Sequence, residues 1–98
     1  MKFDVETAIK TITKPWTPVD LATFDNKVLR LALFEGEYHE HSHGYDEFFF
    51  VYQGAITIWT EKGNVELKEG EGTTISKGVK HKPMAHVPSY VLMIDSIE

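Results

Sequence analysis

Two histidines one residue apart, a glutamate four residues on, and a third histidine far downstream constrain this chain more than any other feature. The segment His41-Ser42-His43-Gly44-Tyr45-Asp46-Glu47 has the spacing His-x-His-x-x-x-Glu, and His81 lies 34 residues beyond Glu47. In an extended strand successive side chains point to opposite faces, so His41 and His43 share a face about 7 Å apart. A turn at Gly44 lets the Glu47 carboxylate fold back towards both imidazoles. Three neutral imidazoles and one carboxylate form a mixed nitrogen and oxygen site suited to a divalent transition metal such as Fe, Mn, Ni or Zn. On an octahedral ion, four protein ligands leave two positions for water or substrate. Ligands from separate parts of the chain meet only if the fold curves back on itself.

The rest of the sequence is punctuated as β structure. Val28 to Phe34 is an apolar run ending at Gly36, and Glu47 to Gln53 is aromatic and β-branched and stops at Gly54. Ala55 to Thr60 alternates, Lys62-Gly63-Asn64 reads as a turn, and Val65-Glu66-Leu67 and Thr73-Thr74-Ile75 are short strands on either side of Gly70 and Gly72. Tyr90 to Ile94 is the last strand read. Many short strands at close spacing predict an all-β sandwich or barrel, and a jelly roll brings ligands from two hairpins together. Residues 27–98 form this barrel in our reading, and residues 1–26 form an N-terminal arm. Within the arm, Asp4 is a candidate N-cap for a short helix carrying Val5, Ile9 and Ile12 on one stripe, and Pro15 and Pro18 hold an extended stretch around Trp16.

Bulk properties exclude several classes. At 98 residues the chain makes one domain. It has no cysteine, which removes disulfides, thiol catalysis and Cys-based zinc fingers. A net charge of −5 opposes general binding to nucleic acid. Asp4 and Glu6 break any apolar signal-like segment at the start, and no apolar run approaches the ~20 residues of a membrane span. A soluble cytoplasmic protein is the expectation.

On these residues the chain resembles the cupins, specifically the small single-domain type. The first cupin motif is matched by Gly36, His41, His43, Glu47 and Gly54, with the gap from Gly36 to His41 one residue short. The second is matched by Gly70, Gly78 and His81, with Ser76 in the proline position and Ala85 in the asparagine position. Trp16-x-Pro18, Gly78-Val79-x-His81-Lys82-Pro83 and the closing Val91-Leu92-Met93-Ile94 are similar to a stand-alone subgroup often labelled mannose-6-phosphate isomerase-like. The resemblance covers the chain from about Trp16 onward. It implies a double-stranded β-helix and His41, His43, Glu47 and His81 as ligands to one divalent metal ion. A metal-dependent dioxygenase or isomerase acting on a small organic molecule follows as the expected function, with Glu47 also a candidate proton acceptor. The alternative is a non-catalytic module that binds a small molecule.

Neighbouring residues complete the reading. If Glu47 points inward, alternation places Phe49 and Val51 inside with it, and His39, Tyr45, Met84 and Ala85 join them as candidate pocket residues. Phe48, Phe50 and Tyr52 then face outward, an apolar patch that needs covering. The cover is the N-terminal arm through Trp16, or a second subunit in a homodimer, the state that the resemblance implies. Lys77, Lys80 and Lys82 surround His81 in an acidic chain, either as a field for an anionic substrate or as a solvated edge that discourages aggregation. His86 is read as solvent-facing.

Overall fold

Alternation and glycine turns produce seven strands and one short helix, in a computed structural model that describes residues 2–97. Helix α1 spans Val5–Ile9, and the strands are β1 Val19–Phe24, β2 Lys27–Glu37, β3 Glu47–Gln53, β4 Ala55–Thr60, β5 Val65–Lys68, β6 Gly72–Ile75 and β7 His81–Ser96. Asp4 caps α1 by accepting from the Thr7 backbone N–H at 3.2 Å. The helix is only five residues long and buries none of them.

All pairings are antiparallel. One run is ordered β1-β2-β7-β3-β6, while β4 pairs with both β5 and β7. The 16-residue β7 is the shared element, since its first residues face β4 (Thr60↔His81, Ile58↔Pro83) and its last face β2 and β3 (Arg30↔Met93, Phe49↔Met93). That sharing curls the sheet into a jelly-roll barrel. The alternation expected along β3 is present: Glu47, Phe49 and Val51 are buried and point inward.

Two differences from the sequence reading concern strand limits. The chain joins the sheet at Val19, where β1 pairs with β2 through a bulge between Asp20 and Ala22. The segment read as arm up to residue 26 therefore includes a strand. The final strand begins at His81 rather than Tyr90. Pro83 and Pro88 both fit within it. Pro83 needs only its carbonyl, which accepts from the Tyr38 N–H at 3.0 Å. Pro88 lies in the stretch between Ala85 and Ser89 that has no Cα partner on β2, where a missing N–H costs no ladder bond.

Ser89 fixes this corner of β7. Its side chain is fully buried and its Oγ accepts from the Ala55 N–H at 3.0 Å. Gly54 sits opposite at φ 103°, and a Cβ there would collide with Ser89. Ala32, Phe34, Phe49, Val51, Ile56, Ile58, Leu67, Ile75, Ala85, Val91 and Met93 fill the interior.

Trp16 does not cover the outer aromatics as the sequence suggested. It packs on Phe34 and Tyr38, with ring centroids 4.5 and 5.0 Å away. Phe48, Phe50 and Tyr52 are half-buried, and the Tyr52 hydroxyl donates to Glu6 of α1. It is therefore the helix, rather than Trp16, that approaches this face.

Candidate metal centre

Backbone pairing, rather than a regular strand, brings the distant histidines together. His41 and His81 exchange two backbone hydrogen bonds, His41 N–H to His81 O at 3.0 Å and His81 N–H to His41 O at 2.9 Å. The sequence predicts His41 and His43 on a strand, and only this isolated bridge forms there. A second tie runs from the Gly78 N–H to His43 O at 2.8 Å, with Gly78 at φ 79°, a value that favours glycine. Asp46 adds a third by accepting from the Lys77 N–H at 2.9 Å. The two loops that carry the four residues are thus locked to each other through main-chain groups.

The four side chains converge. One ligand atom from each of His41, His43, Glu47 and His81 can be chosen so that all lie within 4.8 Å of one another. Glu47 Oε1 is 3.2 Å from His81 Nε2 and 3.3 Å from His43 Nε2. Both Glu47, 6% exposed, and His81, 1% exposed, are buried.

Tautomers follow from the partners. His81 Nδ1 lies 2.9 Å from Val79 O, and His41 Nδ1 lies 3.0 Å from His39 O. A carbonyl oxygen only accepts, so each Nδ1 carries the proton and each Nε2 turns to the cluster with a lone pair when the ring is neutral. A carbonyl holding the other ring nitrogen is the arrangement that orients metal-binding histidines.

Burial sets the charge states. Desolvation lowers the pKa of His41 and of His43, and the neighbouring His81 lowers both further. Burial pushes Glu47 up to about 7, with the nearby Asp95 carboxyl acting in the same direction and the bond to His81 opposing it. One proton is therefore shared between Glu47 and His81 and belongs to the pair. A cation held by the cluster would displace it. Three imidazole nitrogens and one carboxylate oxygen at this separation suit a divalent transition metal by donor type and number.

The cluster opens into a cavity of about 280 Å³, small enough for a compact organic molecule. Of the candidate pocket residues, His39, Tyr45 and Phe49 line it. His39 is exposed, lies tilted against Tyr38 with ring centroids 4.0 Å apart, and stands outside the four-residue cluster. Tyr45 stacks on His43 at 4.8 Å, and burial raises its hydroxyl pKa. Val51, Met84 and Ala85 are not on the cavity wall. Val51 and Ala85 are sealed in the core, and Met84 lies on the other face of β7 from the buried Pro83, which takes the lining position.

No lysine of the trio around His81 lines the cavity: Lys77 and Lys80 are exposed, and Lys82 Nζ pairs with Glu37 at 3.1 Å. These are the solvated edge. The cation on the wall is Arg30, beside Asp95, and neither stands out in the sequence. They lie 65 residues apart and meet only because β2 pairs with β7. His86 is exposed, as expected.

An antiparallel jelly roll in which three histidines and a glutamate converge beside a cavity defines a small β-barrel with a candidate metal site. The chain belongs to the cupin domain family, whose model matches residues 31–95. It is 31% identical over 77 residues to the uncharacterized protein YdbB of Bacillus subtilis, covering 76% of this chain and 68% of that one. A cupin-2 domain protein from Shewanella frigidimarina superposes with a TM-score of 0.92 at 30% identity, covering 96% of this chain and 93% of the other. The fold is shared at 19% identity with the hydroquinone 1,2-dioxygenase PnpCD, solved with Cd2+ and 4-hydroxybenzonitrile, at a TM-score of 0.79 over 91% of this chain and 69% of that one. No helix among the described residues is long and apolar enough to cross a membrane.

Proposed function

We propose that this cupin is a divalent-metal-dependent enzyme acting on a small organic molecule, with His41, His43, Glu47 and His81 as the metal ligands. The observation that carries the reading is the convergence of four ligand atoms within 4.8 Å beside a small cavity. A cation there supplies Lewis acidity or binds an oxygen substrate. The chain's own residues prepare the place. Carbonyls hold the His41 and His81 rings, burial favours the neutral form of His41 and His43, and Tyr38 and Tyr45 add aromatic surface to the cavity wall. A dioxygenase sharing the fold, solved with a divalent ion and a phenolic ligand, supports oxygenation as the first reaction to assay, and isomerisation is the second. The homodimer through Phe48, Phe50 and Tyr52 belongs to this proposal. Sedimentation velocity of the wild type against Phe50→Ser tests it, a dimer that becomes a monomer being the expected result.

Elemental analysis by inductively coupled plasma mass spectrometry is the primary test, on untagged protein beside the His41→Ala/His81→Ala double variant. Near-stoichiometric metal in the wild type and none in the variant is expected. Metal in neither, after reconstitution with Fe, Mn, Ni and Zn, overturns the reading. A metal-loaded protein that binds small molecules tightly without turning them over replaces the enzyme by a binding module.

A further inference from the structure

The cavity wall carries a polar pair that the metal reading leaves unused. Asp95 is 5% exposed, and its Oδ2 accepts from Arg30 Nη1 at 3.2 Å. Its Oδ1 is buried without a hydrogen-bond donor among the described residues, and the neighbouring Glu47 carboxyl can give it none once Glu47 is ionised as a metal ligand. Both residues line the cavity that the four-residue cluster opens into. A buried carboxylate oxygen left unpaired is costly, and such exceptions call for a specific cause. On a cavity wall, a ligand is one such cause. An ionised carboxylate oxygen only accepts, so the ligand must bring an O–H or N–H to this point.

Arg30 sets the complementary demand. It gives Nε to Asp20 Oδ1 at 2.8 Å and Nη1 to Asp95, which leaves three of its five N–H donors. A guanidinium never accepts, so the ligand must bring an acceptor here, and the planar fork suits a carboxylate. Arg30 and Asp95 are hydrogen-bonded to each other, so both demands fall on neighbouring atoms of the ligand. Charge points the same way. Among the described residues on the wall, Arg30 alone is a lysine or arginine.

We propose that Arg30 and Asp95 form the substrate-recognition subsite, and that the substrate class is a small hydroxycarboxylate whose carboxylate meets Arg30 and whose hydroxyl donates to Asp95 Oδ1. This rests on the metal-dependent reading of the same cavity. Phe34, Phe49 and Met93 supply apolar surface for the rest of the molecule.

Calorimetry tests this with Zn2+ as the metal and mandelate and phenylacetate as probes, two acids that differ by one hydroxyl. Zn2+ is titrated first, Mn2+, Ni2+ and Fe2+ take its place in turn if it does not bind, and failure of all four overturns the metal reading before any acid is added. On Zn-loaded wild type, mandelate should bind at least about tenfold tighter than phenylacetate, the size of one charge-assisted hydrogen bond. In Asp95→Leu that preference should fall towards one. In Arg30→Met both acids should weaken. Asp95→Asn keeps an oxygen for Arg30 while turning a donor to the cavity, so it should lose the preference even if the leucine variant folds poorly. Chelation of zinc by the hydroxyl is common to wild type and variants, so only the Asp95-dependent part of the preference counts. Equal binding of the two acids, a preference that survives in both Asp95 variants, or no binding of either acid to Zn-loaded wild type overturns the subsite.

Discussion

Glu47 and Val51 point inward from one strand, four residues apart, into two different environments. Val51 is sealed in hydrocarbon with Ile56, Ile58, Leu67 and Val91. Glu47 faces imidazoles and sits near a second buried carboxylate, Asp95. The closed end contributes stability through apolar burial. The open end holds ionisable groups whose desolvation opposes folding until a counter-charge arrives. One strand serves both because alternation fixes direction and leaves residue type free. The cluster keeps its shape because the backbone bonds between His41 and His81 extend the β2–β7 pairing beyond Glu37↔Met84.

That division predicts that the two ends fail differently, and here the largest effects are expected. His81→Ala should reduce metal affinity by more than about a hundredfold while the metal-free protein stays folded. Ile58→Ala should cost about 3 kcal/mol of stability, as large-to-small core changes do, while folded molecules still bind about one metal each. Metal titration and thermal unfolding on the same samples decide. A His81→Ala protein that unfolds, or an Ile58→Ala protein that loses metal while folded, breaks the comparison.

Acid acts on the open end. Metal binding needs Glu47 ionised and His81 neutral, and the buried Glu47 titrates at about 7. Protons therefore compete below that value. One group titrating at about 7 weakens binding on the order of a hundredfold by pH 5, two units lower. Zinc titrations at pH 8 and pH 5 measure it, and equal affinity at both would mean that Glu47 is not a ligand.

Much of this architecture is legible in the sequence. β3 and β4 end where Gly54 and the alternation of Ile56 and Ile58 place them. The four-residue cluster is visible because ligand chemistry limits residue type. What escapes depends on strand partners. β1 has a bulge that blurs its alternation. β7 hides Pro88 in an unpaired stretch. Met84 suggests a pocket residue by its type, although counting by twos from His81 places Pro83 inward and Met84 outward. Asp95 and Arg30 are ordinary charges until β2 pairs with β7.

Glu47→Gln sharpens the comparison by making the open end cheaper to fold. In the metal-free protein the carboxyl titrates at about 7 against an ordinary 4.5. Its folded pKa is raised, so its contribution to stability is full below 4.5 and is lost as pH rises through 7. That interval corresponds to roughly 3 kcal/mol, a net figure that already includes the bond to His81. The glutamine variant should therefore be about 3 kcal/mol more stable than metal-free wild type at pH 8 and little different at pH 4. Urea unfolding at the two pH values reads the difference. An effect of equal size at both would place its origin in packing rather than charge. With saturating zinc the order should reverse, since a ligand that binds only the folded state stabilises the wild type.

The smallest effect belongs to the segment joining the two regions from outside. Trp16 sits at φ 61°, a value a bulky residue adopts only when its surroundings hold it there. Three contacts do so. Its N–H donates to Leu33 O at 2.9 Å, its indole Nε1 donates to Glu35 O at 3.0 Å, and its ring packs on Phe34 and Tyr38. Trp16→Phe keeps the backbone bond and much of the ring packing and removes only the indole donor. One partly exposed hydrogen bond is worth about 1 kcal/mol, and that is the expected loss in urea unfolding. Metal affinity should not change, because the Trp16 ring packs on Phe34 and Tyr38 rather than on the four cluster residues. Weakened metal binding in Trp16→Phe would show that the arm sets the position of His41 through Tyr38, whose ring meets that of His41 edge-on at 5.5 Å.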